Sequence, residues 1–131
     1  SGRWMKDIIA GLDQPKSKTR KPKPSLILFS LGTHGNWPDL VASGADVIGV
    51  DWRFPLAKAR RVVPEGIGLQ GNLAPALLSD TTPARVAAET RNVVEAMRGR
   101  AGHIFNLGHG LTPEAKLENI SALVETVRTY R

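Results

Sequence analysis

Residues 45–52 read Ala-Asp-Val-Ile-Gly-Val-Asp-Trp, a short apolar run that ends at an aspartate and a tryptophan. Three more runs of this kind, each closed by glycine or polar residues, occur at residues 25–31, 67–70 and 103–107. Runs this short, bounded in this way, favour buried parallel strands over helices. The sequence therefore predicts four strands of one parallel sheet.

Segments with helix signals separate these runs. Thr82-Pro83 and Thr112-Pro113 each pair a hydroxyl side chain, suited to a helix N-cap, with a proline suited to the first helical position. Apolar residues recur at steps of three and four after both prolines, so we expect a long helix to begin at each one. Shorter helices are expected over residues 4–10, 37–43 and 55–62.

The alternation of strand and helix predicts a parallel sheet with right-handed crossovers. Two architectures fit: an open doubly wound sheet, and part of a (β/α)₈ barrel. A complete barrel needs eight strand–helix units and about 250 residues, whereas this chain has 131 residues. We divide the chain into a helix at residues 1–13, a basic linker at residues 14–24, and four strand–helix units at residues 25–131.

The charge of the chain is concentrated in the linker. There are 18 Lys and Arg residues against 12 Asp and Glu residues, a net charge of +6, and a dense group of the cations lies in residues 16–23 among prolines. No aromatic residue is interleaved with these cations, as a nucleic-acid site would need. We predict a solvated linker, with a polyanion-binding loop as the alternative.

Composition and motifs exclude several classes of protein. The absence of cysteine excludes disulfides, thiolate zinc sites and a cysteine nucleophile. The longest apolar stretch, Leu26–Phe29, is far below the roughly 18 residues of a membrane span, and the N-terminus lacks the apolar region of a signal peptide. No G-x-G-x-x-G motif follows a predicted strand, and P-loop, zinc-protease and serine-nucleophile motifs are absent from the sequence. We expect a soluble cytoplasmic protein with no cofactor, metal, nucleic-acid or membrane partner.

His109 is the sharpest single candidate for a functional residue. It stands between Gly108 and Gly110, where the backbone can approach a ligand closely, and it follows the fourth predicted strand. Ligands approach parallel α/β sheets at the carboxyl ends of the strands. A structural hydrogen-bonding role is the alternative for His109, and His103, at the opposite end of that strand, is expected to lie at the surface.

Polar residues also follow the other three strands. His34 shares a glycine-rich setting with His109, and a structural role is favoured for it. Asp51 could serve as a base or orient a cation, and the alternative is that it caps the following turn. Gln70 and Asn72 are interpreted as amides that fix a loop, although both lie near the expected site.

Three blocks together resemble the uroporphyrinogen decarboxylase family: residues 44–52, residues 69–73, and residues 102–110, which end in Asn-Leu-Gly-His-Gly. Their order and spacing are similar to the C-terminal portion of that family. The resemblance implies the C-terminal half of a (β/α)₈ barrel. Ala74 departs from the pattern, because the family commonly has an aspartate there.

The resemblance also implies an activity in haem biosynthesis. The family converts uroporphyrinogen III to coproporphyrinogen III by removing four acetate carboxyl groups, without a cofactor, and usually as a homodimer. It implies that His109 contacts the anionic tetrapyrrole substrate. The arginines and the aspartate that hold the substrate lie in the N-terminal half of such enzymes, so we expect this chain to be inactive alone and to need that half or another copy.

Two other readings remain. The first is a non-catalytic half-barrel that binds an anionic tetrapyrrole or a partner protein. The second is a corrinoid-linked methyltransferase of the same superfamily, which is less favoured because those proteins usually hold zinc through a cysteine.

Overall fold

Four parallel strands alternate with helices along the chain. The computed structural model describes residues 2–12 and 24–131. The elements are α1 Gly2–Leu12, β1 Ile27–Phe29, α2 Trp37–Val41, β2 Val47–Gly49, α3 Leu56–Val62, β3 Gly68–Gln70, α4 Leu77–Asp80, α5 Pro83–Glu95, β4 His103–Ile104 and α6 Leu117–Thr129. Each predicted strand is present, although each is shorter than the apolar run that contains it.

The order of the strands distinguishes the two predicted architectures. The sheet runs β1-β2-β3-β4 with every neighbouring pair parallel. A doubly wound sheet reverses its strand order at a switch point, whereas a barrel adds each new strand beside the previous one. The sequential order confirms four units of a (β/α)₈ barrel.

One face of the sheet is packed and the other is open. Leu28, Ile48 and Leu69 lie in one register row and belong to the apolar core beneath the helices. Successive strand residues point to opposite faces, so the next row faces the other way. We call that side the open face, and its large apolar side chains are 41–49% exposed: Ile27, Phe29 and Ile104.

The two long helices begin differently from each other. Thr82 caps α5 as predicted, since its side-chain oxygen accepts a hydrogen bond from the Arg85 N–H at 3.4 Å. The prediction that the last helix starts at Pro113 is wrong, because α6 begins at Leu117. The Lys116 N–H instead donates to the Leu78 carbonyl of α4 at 2.9 Å, so the chain first crosses to α4 and only then turns into a helix.

Smaller differences concern the ends of elements. Helix α1 continues through Gly11 rather than ending there, and α4 is an additional short helix that the sequence did not indicate. Residues 13–23, which include nearly all of the predicted basic linker, lie outside the described residues. The division of the chain into three parts therefore stays a prediction.

Candidate functional site

The Asp51 carboxylate is fully buried directly after β2. One oxygen accepts a hydrogen bond from the Gly32 N–H and the other from the Arg53 N–H, both at 2.8 Å. Burial raises the pKa of Asp51, but these two hydrogen bonds and the nearby charges of His34 and Arg53 outweigh it, so the pKa lies below its ordinary value. Asp51 thus closes the turn after β2 and ties the loop after β1 to it.

His34 packs against this carboxylate. Its Nδ1 lies 3.1 Å from Oδ2 of Asp51, and its ring stacks on Phe54 with centroids 5.5 Å apart. His34 is 8% exposed, and its buried Nε2 has no hydrogen-bond partner among the described residues. This environment fits the structural role that was favoured from the sequence.

Asn72 completes the same group from the end of β3. Its Nδ2 donates to the carbonyls of Asp51 and Phe54 at 2.9 and 2.6 Å, and the residue is 8% exposed. We call Asp51, His34 and Asn72 the Asp51 cluster. Its hydrogen bonds join the loops after β1, β2 and β3, so three of the candidate residues have a structural role in this group.

His109 is exposed and lies in the loop after β4, at the carboxyl end of that strand. Its imidazole sits between two aromatic rings, with its centroid 6.0 Å from that of Phe29 and 5.9 Å from that of Trp52. Both contacts are edge to face. The imidazole therefore connects the open face of β1 with the turn after β2.

Two cavities meet at His109. The first, about 370 Å³, lies toward the open face and is lined by Phe29, Gln70, Asn106, Leu111 and His109 among others. The second, about 400 Å³, lies on the other side, where Trp52, Asp80 and Glu114 contribute to its wall. Of the predicted site residues, the structure thus brings Gln70 and His109 to one cavity.

Sequence reasoning missed Phe29 as a residue of this cavity. The signal was the alternation within β1: Leu28 is in the core, so Phe29 points to the opposite face. Arg53 also lies at the edge of the site, where its guanidinium carbon is 4.8 Å from the centroid of the Trp52 ring. His103, expected at the surface, is instead half-buried, and its Nε2 lies 2.8 Å from the Gly71 carbonyl.

The described residues contain neither a metal-binding group nor a membrane-spanning helix. In residues 2–12 and 24–131, no three His, Asp or Glu side chains are placed to hold a metal ion. No helix in the same part of the chain is long and apolar enough to cross a membrane.

Comparison with known proteins adds an independent line of evidence. The family model for uroporphyrinogen decarboxylase matches residues 1–130. The uroporphyrinogen decarboxylase of Azoarcus sp. is 38% identical over 129 residues, which cover 98% of this chain and 35% of that protein. The one from Streptomyces avermitilis is 48% identical over 103 residues, which cover 79% of this chain and 29% of that protein.

A solved structure is similar in fold. A methyltransferase from Methanosarcina mazei superposes with a TM-score of 0.78 over 98% of this chain and 35% of its own chain, at 18% sequence identity. Identity this low supports the fold alone. This chain spans about a third of the length of the curated relatives described above.

Proposed function

The chain belongs to the uroporphyrinogen decarboxylase family, and from this premise we propose that it is the C-terminal half-barrel of a uroporphyrinogen decarboxylase. The complete enzyme removes the four acetate carboxyl groups of uroporphyrinogen III in the cytoplasm, as a homodimer and without a cofactor. The position of His109 carries the proposal, because its imidazole borders the cavity on the open face. That cavity is where a ligand inside the closed barrel would lie.

In the proposed reaction, the residues of this chain only need to stabilise charge by hydrogen bonding. When an acetate side chain loses carbon dioxide, its electron pair passes to the pyrrole, which has first been protonated on the ring. A proton then adds to the methylene carbon and yields a methyl group, and the proton on the ring leaves, which restores the pyrrole. An imidazole beside the pyrrole stabilises a carboxylate or a ring N–H by hydrogen bonding, and this is the role that we assign to His109.

The open face supports the need for the remaining barrel. Ile27, Phe29 and Ile104 expose apolar surface on one side of the sheet, and β1 and β4 are its two edges. Exposed apolar surface beside unpaired strand edges favours association. The N-terminal half of the barrel is the proposed partner of this face, and a second copy of the chain is the alternative.

A chimera tests the proposal. The N-terminal part of the Azoarcus relative, fused to this chain, should convert uroporphyrinogen to coproporphyrinogen, whereas the 131-residue chain alone should not. Loss of a hydrogen bond to a charged group costs about 1.5–3 kcal/mol. The His109→Ala chimera should therefore lose about 10- to 100-fold in kcat/KM.

The control variant is Asn92→Ala, which changes an exposed residue of α5 and should keep the rate of the unaltered chimera. A folded chimera with no activity would contradict the proposal. Tight binding of the tetrapyrrole by the chain alone, together with an inactive chimera, would favour the non-catalytic binding module instead.

A further inference from the structure

The loop that carries His109 rests directly on the backbone of Trp52. A Cβ atom added to Gly108 would lie 2.3 Å from the Trp52 nitrogen and 2.8 Å from its Cα. From the other side, the Gly108 N–H donates to the Leu73 carbonyl at 2.8 Å. The backbone next to His109 is thus held between the turn after β2 and the segment after β3.

The side chain of Trp52 continues this contact to the imidazole. Its ring meets the His109 ring edge to face, with an angle of 83° between the planes, and is 36% exposed. Phe29 makes the matching contact, with an angle of 67°. Because rings in such pairs prefer this geometry, the two aromatic side chains restrict the directions in which the imidazole can point.

The residues on either side of Trp52 hold it in place. The buried Asp51 carboxylate accepts hydrogen bonds from the N–H groups of Gly32 and Arg53, the second of which directly follows Trp52. The guanidinium of Arg53 lies over the indole at 4.8 Å. The turn that bears Trp52 is therefore a rigid support rather than a free loop.

We infer that Trp52 is a positioning residue that sets the orientation of the His109 imidazole. The ends of β2 and β4 then act as one unit, although β3 separates the two strands in the sheet. The use of that orientation, to present the imidazole to a carboxylate or pyrrole of the tetrapyrrole, rests on the proposed function. The orientation itself does not.

An edge-to-face contact of this kind changes the balance between two orientations by about two- to tenfold. Removing the indole should reduce the population of the held orientation by that factor. Since the apparent affinity scales with the competent population, the Trp52→Leu chimera should show a KM about two- to tenfold higher, with kcat largely retained. The Trp52→Phe chimera keeps a ring and should recover most of the affinity.

Nuclear magnetic resonance of the chain tests the orientation without any substrate. The chain has three histidines, so ¹³C-labelled histidine gives three Hε1–Cε1 signals, and His109→Gln identifies one of them. In Trp52→Leu we expect that signal to move toward the position of a free histidine, while the signals of His34 and His103 stay in place. Trp4→Leu, the same change at an exposed position of α1, should move none of the three.

Two results would overturn the inference. One is an unchanged His109 signal in a Trp52→Leu chain whose other two histidine signals are native. The other, which needs no variant and so applies even if Trp52→Leu fails to fold, is the absence of a nuclear Overhauser effect between the indole and the His109 ring. An inactive unaltered chimera would contradict the proposed function but leave these spectra to decide the role of Trp52.

Discussion

Gly108→Ala should destabilise the chain, because the new methyl group has no space. Its carbon would lie 2.3 Å from the nitrogen of Trp52, 2.8 Å from its Cα and 2.9 Å from its Cβ. Favourable contacts between heavy atoms begin near 3.5 Å, so the loop must retreat by about 1 Å. Retreat also stretches the hydrogen bond from the Gly108 N–H to the Leu73 carbonyl.

The expected cost follows from these two effects. Overpacking of this kind costs about 1–3 kcal/mol, and the weakened hydrogen bond adds about 1 kcal/mol. We therefore expect the free energy of unfolding to fall by about 2–4 kcal/mol. For a chain of this size, the melting temperature should fall by roughly 10 °C.

Gly110→Ala is the matched control two residues away. A Cβ atom at Gly110 meets nothing within 4 Å, and the backbone there does not have a positive φ. The same substitution should leave stability unchanged or raise it by about 0.4–1 kcal/mol. Urea unfolding followed by circular dichroism compares the two variants, and equal midpoints would refute the argument that Gly108 is required by its contact with Trp52.

Three further predictions concern buried polar groups. The pKa of Asp51 lies below its ordinary value of 3.8, so its stabilising contribution is complete well above that pH and is lost as the pH falls through the lowered pKa. The unfolding free energies of the wild type and Asp51→Asn should therefore differ at pH 7, and the difference should shrink as the pH falls below 3.8. A difference that does not change with pH would contradict this. Asn119→Ala should lower the free energy of unfolding in urea by about 2–3 kcal/mol, because the fully buried amide donates to carbonyls at the end of α4. Asn92→Ala, at an exposed position of α5, should leave that free energy almost unchanged. Arg60→Met should lower the melting temperature, because the buried guanidinium donates hydrogen bonds to three carbonyls after α3. Arg61→Met, at the exposed neighbouring position, should leave the melting temperature unchanged. Equal effects of the two substitutions would contradict a special role for the buried guanidinium.

The sheet was predictable because its signals are local. Each strand lies within one apolar run closed by glycine or polar residues. The adjacent pair Thr82-Pro83 indicates the start of α5. The similar pair Thr112-Pro113 gave a wrong prediction for the start of α6. The Lys116 N–H there donates to the carbonyl of Leu78, a residue far away in the sequence. A tertiary contact of this kind overrides a helix signal, and no local pattern indicates it.

The candidate site also contains positions that the sequence predicted and contacts that it did not. The rule that ligands approach the carboxyl ends of parallel strands correctly placed His109 and Gln70 beside a cavity. The pairing of His34 with Asp51 was not predictable, because it depends on how the loops after β1 and β2 fold against each other. The hydrogen bond that Asp51 accepts from the Arg53 N–H fits its interpretation as a turn cap, and its role as a base stays a prediction.

The sequential strand order also bears on how the chain reaches this structure. Every ladder joins a strand to the next one along the chain, across about 20 to 35 residues. Closure entropy grows slowly with loop length, so each successive ladder forms at a similar entropic cost. Assembly can therefore proceed by accretion, with each finished unit serving as the template on which its successor condenses.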